Sequence, residues 1–179
     1  KFLRKHGALG KIAKARPKED LLALSRIRRH VSQAKGKAML ARLDKSPEAC
    51  GFAGLSNAKS IATRGPMTSD HLIHIKPAPV ILGKNVEQEI ADYSSAYKAY
   101  FEKNTDGRLT CLDPAPRWAV WPKYGVIAFG RTIMETTIVS DIIRHTIRSI
   151  QWSEAIGKWK ALSEEQMFDM EYWELQQAK

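Results

Sequence analysis

Apolar and polar positions along the chain follow periods that switch between those of helix and strand. Leu21, Leu24, Ile27 and Val31 recur at three- and four-residue steps behind Pro17, Glu19 and Asp20, which predicts a helix stopped by Gly36. "KAMLARLD" (37–44) alternates enough to be a short strand. Ser46-Pro47-Glu48 is a helix start: a capping hydroxyl, a proline at the first position and an acid facing the positive end of the dipole. That helix is expected to break at Gly51 or Gly54, with a second short helix over Ala58 to Thr63. From His71 to Leu82, "HLIHIKPAPVIL" reads as extended chain, because Pro77 and Pro79 oppose a stable helix.

Asn85 caps the next helix, on which Val86, Ile90, Tyr93, Tyr97 and Tyr100 form one face before the turn cluster Asn104-Thr105-Asp106-Gly107. "RWAVW" (117–121) and "GVIAF" (125–129) read as two strands joined around Pro122-Lys123-Tyr124. Thr132-Ile133-Met134-Glu135 is a capping box opening a long helix to Ile156. Ile138, Ile142, Thr146 and Ile150 form its expected buried stripe, flanked by Val139, Ile143 and Ile147. Ser163-Glu164-Glu165-Gln166 opens a last helix in the same way. Strands alternating with helices predict an α/β fold, a layered sheet flanked by helices.

Composition narrows this picture. A hydrophobic content of 44% and a charged content of 27% in 179 residues are globular values, enough for one domain or part of one. The net charge of +10 is concentrated: residues 1–42 carry 13 Lys/Arg against Glu19 and Asp20, and the remainder is close to neutral. The chain therefore divides into a basic helical segment (1–42), an α/β core module (43–162) and a C-terminal helix (163–179). The basic segment has Phe2 as its single aromatic and no base-stacking platform. It reads as a solvated helix face, or one docked on an acidic surface outside this chain, ahead of nucleic acid. No apolar run approaches a membrane span, and "KFLRKHGALGKIAK" lacks a secretory apolar core. A cytoplasmic protein without a membrane partner is expected, with Cys50 and Cys111 reduced.

The densest candidate chemistry is "RGPMTSDHLIHIKP" (64–77), with Asp70, His71, His74 and Lys76 in seven residues. On an extended chain His71 faces one side and Asp70, His74 and Lys76 the other, so the histidines would not share a metal. Thr68-Ser69-Asp70 also suits a turn. Asp141 and His145 are four apart on the long helix and can pair, as a catalytic dyad or as a surface hydrogen bond. Trp118, Trp121 and Trp173 read as core. No Rossmann or Walker glycine loop and no Gly-x-Ser-x-Gly elbow occurs in the chain.

"RLDKSPEACGF", "RGPMTSDHLIHIKP", "LDPAPRWAVWPKYGVIAFGRT", "IRHTI" and "FDMEYWELQQAK", in that order, resemble the central region of a bacterial fusion family. That family joins a class II aldolase/adducin-type domain to a short-chain dehydrogenase, of the rhamnulose-phosphate aldolase/alcohol dehydrogenase kind. The resemblance covers about Arg26 to Lys179. Arg64, Gly65, Pro66, Thr68, Asp70, His71, Ile73 and Lys76 match its central motif, while Ser69 and His74 depart from it. Asp113, Pro114, Pro116, Gly125, Gly130, Arg131 and His145 match elsewhere. "KYGVIAFGRTIMETTIVSDII" also resembles the strand-turn-helix that follows the third metal histidine of class II aldolases, with Tyr124 in the histidine's place.

The resemblance implies a parent lyase that cleaves a sugar phosphate, with an attached oxidoreductase. Its divalent metal (zinc) and NAD(P) are expected in the parent's other domains, with no metal ligand in this chain. Partners would be those aldolase and dehydrogenase domains and a second copy in a homo-oligomer. Within this chain His71, with Asp70, would donate or accept a proton. Lys76 and Arg64 would contact substrate, Lys76 near the phosphate, and Asp141 and His145 would stand behind them. The alternative reading is a non-catalytic interdomain or oligomerisation module.

Overall fold

A computed structural model describes residues 1–174. The last five residues of the C-terminal segment lie outside the described residues. In chain order come α1 (Phe2–Lys5), a 3-10 turn (Ala8–Gly10), α2 (Leu21–Lys35), β1 (Leu40–Asp44), α3 (Pro47–Ala53), α4 (Ala58–Ala62) and α5 (Ser69–Ile75). β2 (Val80–Ile81), α6 (Val86–Asn104), β3 (Trp118–Trp121), β4 (Gly125–Gly130), α7 (Ile133–Ile156) and α8 (Glu164–Glu171) follow. The strands make one mixed sheet in the order β1-β4-β3-β2, antiparallel at β1–β4 and β3–β4 and parallel at β2–β3. This is the layered α/β sheet that the alternating pattern predicts.

Every residue of β3 and β4 is buried, because helices cover both faces of the sheet. Trp118, Val120, Val126 and Ala128 face α3, α4 and α7, where Phe52, Ile61, Ile143 and Ile147 close the layer. Ala119, Trp121, Ile127 and Phe129 face the opposite way, onto Ile27 and Val31 of α2 and Ile90 of α6. The basic segment is thus part of the fold: α2 supplies one wall of the core. Ahead of it, the backbone N–H groups of Ala13 and Ala15 donate to Gln151 Oε1 and the Pro47 carbonyl.

Helix starts follow the capping chemistry. Asp20, Ser46, Asn85, Thr132 and Ser163 each accept a backbone N–H from the first turn of the helix they cap. Gly36 ends α2 in the left-handed region. On α7 the Glu135 carboxylate accepts the Arg131 N–H, one residue ahead of the Thr132 N–H that a capping box would use.

His71 to Ile75, expected as the start of an extended chain, belong instead to the helix α5 (Ser69–Ile75). Thr68 caps it through the His71 N–H, Asp70 sits in its first turn, and Leu72 and Ile75 are buried on one face. The prolines act after the helix rather than within it: Pro77 bars its preceding residue from helical geometry, and Lys76 leaves the helix at φ 62°. The expected division of His71 from His74 by a sheet therefore does not occur. Two apolar assignments also change. Ile138 lies at the edge of the α7 stripe and is 39% exposed, and Trp173, expected in the core, is 49% exposed beyond the last helix.

The β3–β4 hairpin turns through Lys123 at φ 72° and Gly125 at φ 131°. A Cβ on Gly125 would stand 2.1 Å from the Asp44 carbonyl oxygen, so this strand start needs glycine both for its backbone and for the close approach of β1. Gly125→Ala is expected to cost about 2 kcal/mol or more in urea denaturation; a variant as stable as wild type would contradict this packing.

Candidate functional site

The site begins with an acid in a proline-rich connection. Asp113, just before β3, accepts the Arg117 guanidinium through both oxygens and the Lys35 ammonium at 2.6 Å. Pro114 and Pro116 stiffen the three residues between acid and arginine, so the pair closes without a helix to space it. Burial alone would raise the Asp113 pKa, but the hydrogen bonds and charge of Arg117, with Lys35 and Lys76 behind, hold the carboxyl well below its ordinary range.

Lys76 enters the same knot from below. It is 3% exposed; its Nζ donates to the Asp113 carbonyl and stands 3.3 Å from the centre of the Tyr97 ring. Burial, then repulsion from Arg117, pushes its pKa down to about 7 against the pull of Glu171 and Asp113. On the far side of Tyr97 lies a second polar group. Tyr97 Oη donates to Glu171 at 2.8 Å and lies 3.0 Å from Tyr172 Oη, which accepts the Leu112 N–H. Burial raises the Glu171 pKa, while Lys76, Tyr97 and Tyr100 pull it back. Five parts of the chain (α2, the end of α5, α6, the 105–117 connection and α8) meet through these side chains.

Arg117 and Lys35 also floor a cleft of about 300 Å³ between the C-terminus of α2, α5 and the start of α7. His74, Arg131 and Glu135 rim it, and Met39, Phe129 and Ile138 give it an apolar wall.

The expected site residues distribute unevenly around this geometry. Arg64 is committed to Glu154, at 2.7 Å, and to the Trp159 carbonyl. Lys76 is enclosed, as described, with its ammonium directed to partners within the chain. Asp70 is exposed on the first turn of α5. His71 is half-buried, and its Nδ1 has no hydrogen-bond partner among the described residues. Burial, and then the neighbouring His145 and His74, lower its pKa, with Asp70 opposing. His71 thus feels both His74 of its own helix and His145 of α7, where α5 packs on α7. Asp141 lies 3.8 Å from Arg144.

Periodicity gave no hint of Lys35, Arg117, Tyr97, Glu171 or Tyr172 as a group. The Asp113…Arg117 spacing across two prolines is the one local signal. Among the described residues no group of three or more His, Cys, Asp or Glu could hold a metal ion. Tyr124, which the resemblance sets in the place of a metal histidine, has its ring stacked on Trp121 at 3.9 Å. Zinc therefore does not fit the side chains described. No helix among those residues is long and apolar enough to cross a membrane.

A mixed sheet covered on both faces, with a hairpin feeding a long capped helix, makes this a layered α/β domain. Residues 18–179 match the family model described as Aldolase class II, second domain, and the chain belongs to that family. It is also similar to a Bacillus subtilis (strain 168) protein named Uncharacterized oxidoreductase YuxG, at 26% identity over 152 residues. That similarity covers 78% of this chain but 22% of the relative, so the chain spans about a fifth of its length. No solved structure matches the chain.

The depressed Lys76 gives the knot a pH signature. Between about 7 and its ordinary 10.5 the unfolded chain binds a proton that the folded chain has released, so stability rises with pH across that window. Lys76→Met removes this slope. From pH 7 to 9 the wild type is expected to gain on the variant by on the order of 1–2 kcal/mol in urea midpoints. Parallel pH profiles would show that Lys76 keeps its ordinary pKa.

Proposed function

We propose that the chain is one domain of a longer cytoplasmic polypeptide, a class II aldolase-type lyase acting on a sugar phosphate and joined to a short-chain dehydrogenase. The observation that carries this reading is the family match over residues 18–179. An oxidoreductase-named relative more than four times the matched length supports the joined dehydrogenase. In this reading the divalent metal and NAD(P) are held by the parent's other domains, since neither finds a donor set or glycine loop among the side chains described here.

The reaction breaks a carbon–carbon bond of a ketose phosphate. A base removes the proton of the hydroxyl on the departing fragment, which leaves as an aldehyde, and the bond's electron pair stays with the carbonyl fragment. That fragment then takes up a proton. His71 is the residue of this chain suited to move one of these protons: burial and two neighbouring imidazoles favour its neutral form, which can accept. Arg64 and Lys76, engaged inside the chain, hold the frame around it.

A second reading, an interdomain or oligomerisation module, is favoured by one observation. Ile133 and Met134 at the start of α7 are 80% and 74% exposed, and the partly exposed Ile138 lies one turn further on. The parent protein is expected to release dihydroxyacetone phosphate from a ketose 1-phosphate, and His71→Ala to lower kcat by about a hundredfold. Cleavage unchanged by His71→Ala would confine the domain to the second reading. Absence of cleavage of any ketose phosphate would remove the first.

A further inference from the structure

We propose that the cleft between α2, α5 and α7 binds the phosphate group of a small phosphate monoester, with Arg131, Arg117 and Lys35 as its cationic contacts. The inference deepens the sugar-phosphate reading by assigning a ligand site, and it requires no cleavage by this chain.

Four positions bring nitrogen donors to one opening: Lys35 from α2, His74 from α5, Arg117 ahead of β3 and Arg131 after β4. Two carboxylates oppose them, and both are already engaged. Asp113 lies behind Lys35 and Arg117 and one charge serves both, which leaves a net positive floor. Glu135 caps α7 by accepting the Arg131 N–H at 2.7 Å. Lys35, Arg117 and Arg131 are three cations facing two carboxylates. The floor is also pre-ordered: Asp113 holds Lys35 and Arg117, whose side chains are 16% and 19% exposed, so binding would not have to immobilise them.

The supply of cations from separate elements suits an anion with several oxygens. A tetrahedral phosphate can meet Lys35, the edge of Arg117 that Asp113 leaves free and the fork of Arg131 at once, whereas a carboxylate presents two oxygens in a plane. A cavity of about 300 Å³ takes a small molecule, and the wall of Met39, Phe129 and Ile138 offers a surface for its carbon body. Arg131 is exposed and Ile138 partly so, and altering either leaves the core and the Asp113 knot in place.

The test is titration of the 179-residue chain with glycerol 3-phosphate, with glycerol and malonate as controls, followed by calorimetry and by backbone amide shifts. Saturable one-site binding is expected, with the Gly130 and Arg131 amides among those that move. Arg131→Ala and Ile138→Glu, the second placing a carboxylate at the mouth, should each weaken it by about tenfold or more, and Arg131→Lys by less. Failure of glycerol 3-phosphate to bind, shifts confined to another face, binding unaltered by both substitutions, or malonate binding as tightly would each overturn the proposal. A parent that cleaves ketose phosphates while this chain binds no phosphate removes only the cleft; binding without cleavage by the parent removes only the lyase reading.

Discussion

Lys35, Lys76 and Arg117 reach Asp113 from three parts of the chain, and the domain's outer helices are arranged around that meeting. Two of the cations use the carboxylate and the third uses the backbone carbonyl of the same residue. Charges largely withdrawn from water need partners, and removal of the acid would leave Lys35 and Arg117 crowded without the carboxylate they share. The knot accordingly constrains the end of α2, the exit from α5 and the approach to β3. Lys76 shows the force of that constraint: it adopts a left-handed φ rare for lysine and gives up much of its basicity to stay enclosed.

The sheet supplies the other fixed element. β3 and β4 are apolar on both faces, so they must be covered twice, and the two covers are α3, α4 and α7 on one side and α2 and α6 on the other. The cleft forms where these covers stop short of one another. Its floor belongs to the Asp113 knot and its rim to the turn between β4 and α7. A surface opening is thereby lined by side chains whose positions the buried interior sets.

Local features of the sequence predict local structure well here. Capping residues at positions 20, 46, 85, 132 and 163 mark real helix starts, because a cap acts within one turn. The prolines at 77 and 79 mislead over α5, since a proline restricts the residue before it and not the whole turn upstream. The chemistry of the site was far less legible. Asp113 and Arg117 are neighbours in sequence, but Lys35, Lys76, Tyr97 and Glu171 join them across long separations with no shared period. His71 and His145, each matched to a family position, prove to be spatial neighbours, which no periodicity could announce. Lys76, the most promising anion contact by sequence, is buried, whereas the cleft is lined by Arg131 and His74.

If Asp113 holds the outer helices to the sheet, hydrogen exchange of the Asp113→Asn variant should reveal it. The amide keeps the size and shape of the carboxyl but removes the charge shared by Lys35 and Arg117. Protection should fall together at the C-terminus of α2, across α5 and at the start of β3, while the centre of α7 keeps its own. Unchanged protection at those three places, or an even loss over the whole chain, would contradict it.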